Sequence, residues 1–333
     1  MVSNWQSVSS FPCLILFLHF MQIHYDINKL PLFKNAVITI GTFDGVHEGH
    51  QKIIQQLTQT ATEANGESVI ITFHPHPRKV VSSSILGIRL INTLEERIEL
   101  LGQSGIDHLV ITPFTEVFAH QEPEDYLKSF LIDKFHPHTI IIGYDHQFGK
   151  NRRGDYRMME SFCEAFDYQL KEIPKHILDD VAISSTRVRE AILQGNTTIV
   201  NHLLGRMFFF EGEVVHGDKL GRELGYPTAN LKAKDEEKIL PGDGIYAVYA
   251  SIKSNDNNYG PMLKGMMSVG FRPTVDGSKR VIEVNIFDFD ELIYGKTLRV
   301  FVKQYLRSEE KFDGLPALIK KIDEDKVESL KVL

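Results

Sequence analysis

Residues 36–50 read AVITIGTFDGVHEGH. The first five residues are almost entirely apolar and rich in β-branched side chains, which is typical of a strand buried on both faces of a parallel sheet. A glycine-rich loop follows, and from His50 to Ala64 the apolar residues recur on one helical face. In an open parallel sheet, ligands bind at the carboxyl ends of the strands, where helix N-termini favour anions. This stretch therefore predicts a phosphate-binding loop.

Outward from this stretch, the first half of the chain alternates strand and helix patterns. Further strands are predicted at 68–73, 108–113, 139–143 and 168–174. The predicted helices are one opened by a capping box at Thr93 and ended by Gly105, one from Pro123 through Phe130, and one capped by Ser184 or Ser185 that runs to Gly195. Strands separated by helices indicate a doubly wound α/β domain with a Rossmann-like parallel sheet.

The pattern changes after about Arg206, where short strand-like segments are separated by turn sequences. The segments are 208–215, 245–252, 266–271, 281–287 and 298–306. They predict a closed antiparallel barrel, for which we expect six strands, followed by an amphipathic helix over Leu315–Asp323. We place one domain at 21–200 and the second at 201–333.

Composition narrows the functional classes. The 333 residues carry a formal net charge of −7, with 42% hydrophobic and 24% charged residues, which argues against disorder and against general affinity for nucleic acid. Two cysteines cannot build a disulfide framework, so we expect a cytoplasmic protein.

The apolar run at residues 11–21 is too short to span a bilayer. No Lys or Arg precedes it, unlike a secretory signal. We interpret residues 1–20 as a non-native or disordered extension, and we expect no membrane association.

Two histidines in the glycine-rich loop carry the first chemical signal. His47 and His50 are three residues apart at a helix start, so both imidazoles can reach one phosphate chain. The run resembles the HxGH signature of the nucleotidyltransferase superfamily. The resemblance implies that the two histidines donate hydrogen bonds during attack on the α-phosphorus of a nucleotide.

A second segment, ISSTRVR at 183–189, places hydroxyl groups and two arginines together. We expect it in the first turn of a helix, where arginine opposes the helix dipole unless an anion binds. It resembles the ISSTxxR motif of the same superfamily.

Longer runs narrow the family. GTFDGVHEGHQ, TFHPHPRKV (72–80) and IIIGYDHQFGKNRRGD (140–155) resemble the FMN adenylyltransferase half of bacterial bifunctional riboflavin kinase/FAD synthetases. The resemblance implies flavin contacts from Phe73, Pro75 and Asp145. It implies ATP contacts from Gly41, Phe43, Asp44, Gly45, Gly49, Ser185, Thr186 and Arg189. The histidine pairs at 74/76 and 136/138 allow metal ligation as an alternative, although proline-flanked loop histidines fit them better.

The second constellation, HGDKLGRELGYPTAN, occupies 216–230. Its glycines Gly217, Gly221 and Gly225 can present backbone amides to phosphates of ATP. Thr228 and Asn230 offer oxygen ligands of the kind that Mg²⁺ takes. The string resembles the PTAN signature of riboflavin kinases. By contrast, a Walker A motif ending in GKT at 295–297 would need glycine at Asp290, so we interpret that segment as a turn.

Glu283 lies in an otherwise apolar strand, on the same face as Val281 and Asn285. We expect this face to point into the barrel, where a carboxylate is costly unless it is paired or functional. Such a group can act as a general base in phosphoryl transfer. The family resemblance implies that role towards the 5′-hydroxyl of riboflavin, and flavin contacts from Arg307 and Phe312.

The sequence thus predicts a bifunctional enzyme that phosphorylates riboflavin to FMN and adenylylates FMN to FAD, using ATP and Mg²⁺. Its partners would be riboflavin, FMN and ATP. We expect the two sites to be separable, since one is built before residue 195 and the other after 206. One alternative is a nucleotidyltransferase for another substrate with an inactive barrel, and another is a flavin-binding regulator without catalysis. Riboflavin turnover discriminates between them.

Overall fold

The computed structural model describes residues 20–81, 89–143, 146–217, 221, 225–274 and 277–333, with the backbone alone for 177–184, 272–274 and 277–279. Asp145 and residues 1–19 of the expected N-terminal extension lie outside the described residues. Among the described residues, no helix is both long and apolar enough to cross a membrane.

The N-terminal half is built on a six-stranded parallel sheet with the order β1-β4-β3-β2-β5-β6. Its strands are β1 Gln22–His24, β2 Val37–Ile40, β3 Ser68–His74, β4 His108–Pro113, β5 Thr139–Gly143 and β6 Gln169–Ile173. The predicted α/β class is confirmed. Only β1, a three-residue strand at the sheet edge, has no counterpart in the sequence prediction, because three residues are too few to show an alternating pattern.

Helices cover both faces of this sheet. They are α1 Glu48–Glu63, α2 Pro77–Val81, α3 Leu94–Gly102, α4 Glu116–Ala119, α5 Pro123–Asp125, α6 Asp133–Phe135, α7 Tyr156–Phe166, α8 Lys175–Leu193 and α9 Thr197–Leu204, with a π-helix at Tyr126–Ile132 and a 3₁₀ turn at Lys150–Arg152. Strand β2 is buried at all four positions. Ile38 and Ile40 belong to the core on one face, and Val37 packs in the core on the other. This is why the run reads as continuously apolar.

The predicted start of the helix that carries ISSTRVR is wrong. Helix α8 begins at Lys175, directly after Pro174, and the motif therefore lies in its middle rather than in its first turn. No glycine or proline occurs between 175 and 193 to interrupt the helix, so the serines do not act as caps. The dipole argument for an anion at Arg187 and Arg189 falls with this correction.

The C-terminal half is a closed antiparallel barrel with the order β10-β11-β8-β7-β12-β9. The strands are β7 Phe208–Val215, β8 Ala229–Ala233, β9 Gly244–Ile252, β10 Leu263–Thr274, β11 Gly277–Ile286 and β12 Thr297–Arg307. The predicted six-stranded barrel is confirmed. The sixth strand is β8, which begins within the PTAN string. The terminal helix α10, Leu315–Val332, is longer than expected.

The predicted inward orientation of Glu283 is wrong. Its neighbours Ile282, Val284 and Ile286 fill the barrel core, so Glu283 and Asn285 lie on the outer face of β11. Helix α10 packs against β9, β10 and β12 and covers part of this outer surface. A strand covered on both sides shows apolar residues on both faces, and the sequence alternation therefore gave the wrong direction.

Candidate active sites

The loop between β2 and α1 has an unusual backbone. Phe43, Gly45 and Val46 have φ angles of 48°, 97° and 39°. A left-handed conformation is rare for a residue other than glycine and is an outlier for a β-branched residue such as Val46. Such strain persists only where surrounding contacts hold it, and it is commonest at binding and catalytic sites.

His47 is the N-cap of α1 and is fully buried. Its Nδ1 accepts a hydrogen bond from the backbone N–H of His50 (3.3 Å). In the neutral ring the proton then resides on Nε2, which donates to Oγ of Ser185 (2.9 Å). Ser185 in turn donates to the carbonyl of Asp44 (3.5 Å). The HxGH and ISSTxxR motifs are therefore joined directly, 138 residues apart in sequence.

The two histidine rings stack with centroids 3.7 Å apart. Burial lowers the pKa of His47 to about 4, with the nearby Arg206 and Arg189 adding to the effect and Asp44 opposing it. Burial also lowers the pKa of His50, helped by His47 and by Arg97. Both imidazoles are consequently neutral near pH 7, and each ring therefore carries one N–H donor. Nδ1 of His50 is buried without a hydrogen-bond partner, which leaves it available to a ligand.

A cavity of about 450 Å³ opens beside these histidines. Seven of the predicted ATP-site and catalytic residues line it: Gly41, Phe43, Asp44, His50, Ser185, Thr186 and Arg189. Asp44 forms an ion pair with Arg189 and accepts the backbone N–H groups of Ile91 (3.2 Å) and Asn92 (3.0 Å). Its carboxylate therefore orders the site rather than facing a phosphate. Gly45 and Gly49 are buried behind the cavity wall.

Phe73, one of the residues expected to contact flavin, does not line this cavity. Its ring packs against Phe114 and Phe118, because alternation along β3 directs it to the hydrophobic core on one side of the sheet. Pro75 is exposed and follows a cis peptide bond.

The structure adds cavity residues that the sequence analysis had not assigned to the site. His76, Arg78 and His146 line the cavity. Arg97 lies behind it and donates to the carbonyls of Thr42 (2.5 Å) and Phe73 (3.2 Å). The dense cluster of His and Arg at 74–78 was a visible signal for the first two. Within the described residues, no group of three His, Cys, Asp or Glu side chains could hold a metal ion.

The barrel has its own cavity, of about 500 Å³, between its outer surface and α10. Five predicted kinase-site residues line it: Gly221, Thr228, Glu283, Arg307 and Phe312. A second cavity of about 360 Å³ also has Thr228 in its wall. Thr228 thus lies where two adjoining cavities meet. Gly225, with a φ of 83°, is exposed in the loop and lines neither cavity.

Asn230 and Glu283 face each other across strands β8 and β11. Directly opposed residues of an antiparallel pair have Cβ atoms about 5 Å apart. Two glycines of the preceding loop pack closely against side chains at this position. A Cβ on Gly217 would lie 2.2 Å from Nδ2 of Asn230, and a Cβ on Gly221 would lie 3.2 Å from Oγ1 of Thr228. Thr228, Asn230 and Glu283 therefore lie near one another beside this loop, although Gly217 and Asn230 line neither cavity.

Helix α10 contributes residues that the sequence analysis missed. Asp325 is buried and forms a bidentate ion pair with Arg307, at 2.8 and 2.6 Å. Phe312 lies 5.9 Å from the same guanidinium. Tyr226, in the PTAN loop, donates to Asp323 of α10. The sequence pattern predicts that this helix ends at Asp323, so Asp325 lies beyond the predicted helix.

Both halves of the chain match known families. The family model described as FAD synthetase matches residues 30–187, and the model described as riboflavin kinase matches residues 204–333. The bifunctional riboflavin kinase/FMN adenylyltransferase of Haemophilus influenzae is 33% identical over 90% of this chain and 94% of its own length. The enzyme of the same name from Bacillus subtilis is 34% identical over 89% and 92%.

This chain belongs to the bifunctional riboflavin kinase/FMN adenylyltransferase family.

A solved structure of Streptococcus pneumoniae described as a macrolide-efflux protein has the same fold as this member of the family. The TM-score is 0.80, with 30% identity over 93% of this chain and 98% of that one. The similarity extends through both the parallel sheet and the barrel. In this family member, the first cavity lies in the half that contains the parallel sheet, and the second lies in the half that contains the barrel.

Proposed function

We propose that this protein converts riboflavin to FMN in the barrel and FMN to FAD in the N-terminal domain, with ATP as the second substrate of both reactions. One observation carries the proposal: each half contains a cavity on which the residues expected for one of the two reactions converge. The activity divides near residue 200, into domains 21–200 and 201–333. We place the enzyme in the cytoplasm, where ATP is abundant.

In the barrel, the flavin ring occupies the cavity between β11 and α10, beside Arg307 and Phe312. The riboflavin 5′-hydroxyl points to Glu283, which accepts its proton as the oxygen attacks the γ-phosphorus of ATP. The new O–P bond forms while the bond to the β-phosphate oxygen breaks, so ADP leaves. Positioning supplies most of the rate in such a reaction, because little covalent chemistry falls to the protein. Backbone amides around Gly217 and Gly221 hold the ATP phosphates.

Thr228 and Asn230 are the residues that would hold a Mg²⁺ ion. Their oxygens are hard donors, and Mg²⁺ retains several waters alongside a few protein ligands. The absence of a Cβ at Gly217 and Gly221 allows the loop backbone to pack closely on both side chains. A bound Mg²⁺ supplies charge neutralisation on the ATP phosphates.

In the N-terminal domain, a phosphate oxygen of FMN attacks the α-phosphorus of a second ATP, and pyrophosphate leaves. The nucleophile is already an anion near pH 7, so no general base is required. His50 donates from a buried position to the charge that develops on the phosphates, and Arg189 contributes positive charge. His47 supports the site by holding Ser185.

Separate assays of the two reactions test this proposal. Glu283→Gln should reduce riboflavin phosphorylation by about 10²- to 10⁴-fold, the scale for losing a general base, and leave conversion of added FMN to FAD unchanged. His50→Ala should reduce FAD formation by about 10²-fold or more. The His47→Ala/His50→Ala double variant should accumulate FMN from riboflavin, ATP and Mg²⁺.

Matched controls are Glu213→Gln, an exposed carboxylate on β7, and His120→Ala, an exposed histidine. Products are resolved by chromatography. Equal loss of both reactions in folded Glu283→Gln protein would contradict the two-site proposal. An inactive barrel, the alternative weighed from the sequence, predicts no FMN from riboflavin in the unmodified enzyme.

A further inference from the structure

The boundary between the two halves carries a polar network that reaches the adenylyl-transfer loop. Arg206, which follows α9, donates to the carbonyls of Gly45 (2.5 Å) and Val46 (3.0 Å). These are two of the three residues with positive φ that precede His47. Arg206 belongs to the part of the chain matched by the riboflavin kinase model. The expectation that the adenylyl site is built only from residues before 195 is therefore incomplete.

A second contact from the barrel half supports the same loop indirectly. Leu90 donates its backbone N–H to Glu237 (2.7 Å) and accepts from Ile239 (2.8 Å), so the segment after β8 pairs with the segment before α3. The next two residues, Ile91 and Asn92, donate their N–H groups to Asp44. The barrel half thus holds the backbone at Leu90, and the next two residues hold the Asp44 carboxylate by hydrogen bonds.

Lys238 lies at the centre of this contact and is fully buried. It donates to the carbonyl of Ile91 (2.5 Å) and forms an ion pair with Glu96. Glu96 accepts from the side chain of Asn92 (3.0 Å), whose own oxygen accepts from Arg206 (3.4 Å). These hydrogen bonds and the ion pair form one continuous network. It contacts Asp44 through the backbone of Ile91 and Asn92, and it contacts the carbonyls of Gly45 and Val46 through Arg206.

We infer that Arg206 and Lys238 are positioning residues for FMN adenylyltransferase, supplied by the kinase half of the chain. Neither residue lines the nucleotide cavity, so neither is catalytic. Arg206 holds two carbonyls of a strained loop, and Lys238 holds the segment that orders Asp44. The dependence runs in one direction, since neither residue lines the barrel cavity beside Glu283. This inference rests on the proposed adenylyl site.

The histidine pKa values provide a measurement that a purely structural role of Arg206 would not change. Arg206 contributes to the lowered pKa of both His47 and His50. The other charged and titratable groups acting on His47 are Asp44 and Arg189, and those acting on His50 are His47 and Arg97. Removing the Arg206 charge should therefore raise both histidine pKa values and move the acid limb of the FAD-forming pH profile to higher pH.

The primary test is Arg206→Gln in the full-length enzyme. We expect kcat for FMN to FAD to fall about 10- to 100-fold, the scale of a small misplacement of reacting groups. We expect riboflavin phosphorylation to stay within about twofold, since its site is remote from the change. Arg206→Lys retains the charge and should preserve the acid limb while restoring part of kcat.

The second test is the Lys238→Met/Glu96→Gln double variant, which removes both charges of the buried ion pair together and keeps the capping bond of α3. It also removes the carboxylate charge that acts on the buried Arg206. We expect the same selective loss of kcat. The matched control is Glu99→Gln, because Glu99 also forms an ion pair between the halves, with Arg299, but touches no residue of the loop. It should leave both reactions unchanged.

Wild-type kcat and an unmoved acid limb in Arg206→Gln would overturn the inference, as would an equal fall in both reactions. His50→Ala, assayed in parallel, separates this failure from that of the proposed site. If His50→Ala abolishes FAD formation and Arg206→Gln does not, only the positioning role is wrong. If neither affects FAD formation, the adenylyl site itself is misassigned.

Discussion

The buried histidine pair should make the ligand-free enzyme sensitive to mild acid. The perturbation is His47→Asn, which keeps an acceptor at the N-cap of α1 because asparagine is a favoured N-cap residue. It removes a group whose pKa falls from 6.5 to about 4 on folding. Below pH 6.5 the unfolded chain binds a proton at this position and the folded protein does not. The free energy of unfolding therefore falls as pH decreases from about 6.5 to about 4.

The magnitude follows from the two pKa values. For one titrating group, the loss in the free energy of unfolding is RT ln of a ratio, in which each state contributes the factor 1 + 10^(pKa − pH) and the factor of the unfolded state is divided by that of the folded state. With 6.5 unfolded and about 4 folded, the loss is close to zero at pH 7.5 and about 2 kcal/mol at pH 5. His50 and His76, whose pKa values burial also lowers, titrate in both proteins. Because His47 also helps to lower the pKa of His50, the difference between wild type and His47→Asn reports His47 together with its effect on His50.

The assay is urea unfolding of ligand-free protein at pH 7.5 and pH 5, followed by far-ultraviolet circular dichroism. Wild type should lose about 2 kcal/mol more than His47→Asn between the two conditions. His120→Asn, at an exposed position, should behave as wild type. A difference below about 0.5 kcal/mol between wild type and His47→Asn would refute the reasoning, since it would mean that His47 accepts a proton equally well folded and unfolded.

Two further variants test the barrel site. Gly217→Ala places a methyl group 2.2 Å from Nδ2 of Asn230 and should lower riboflavin phosphorylation at least about 10-fold by displacing this side chain. FAD formation from FMN should not change. The control is Gly260→Ala, because a Cβ there meets only ordinary contact at 3.5 Å. Asp325→Asn removes the charge that holds Arg307 and should raise KM for riboflavin about 10-fold, as expected for a buried charged hydrogen bond; an unchanged KM would separate Arg307 from flavin binding.

The sequence by itself determined the two architectures, together with seven residues that line the first cavity and five that line the second. Strands β2 and β5 are buried on both faces and therefore appear as short runs rich in valine and isoleucine. Glycine-rich loops next to strands indicated both proposed phosphate sites. These signals are local, since they depend on neighbours within a few residues.

The local sequence patterns did not predict the start of helix α8 or the existence of strand β8. Helix α8 begins at Lys175, although Ser184 and Ser185 resemble caps, because a serine caps a helix only if the preceding backbone leaves the helical conformation. Strand β8 was hidden in the PTAN string. Its polar Asn230 faces the outside of the barrel opposite Glu283, so the strand lacks a continuous apolar pattern.

Only the tertiary structure decided which face of β11 carries Glu283, and that Arg307 meets Asp325 of α10. It also decided that Arg206 contacts Gly45, 161 residues earlier in the chain, and that Lys238 contacts Ile91, 147 residues earlier. These contacts join segments far apart in sequence, and polar groups at such junctions follow no periodicity. Hydrophobic spacing reports which side of one element is buried; it carries no information about which other element covers that side.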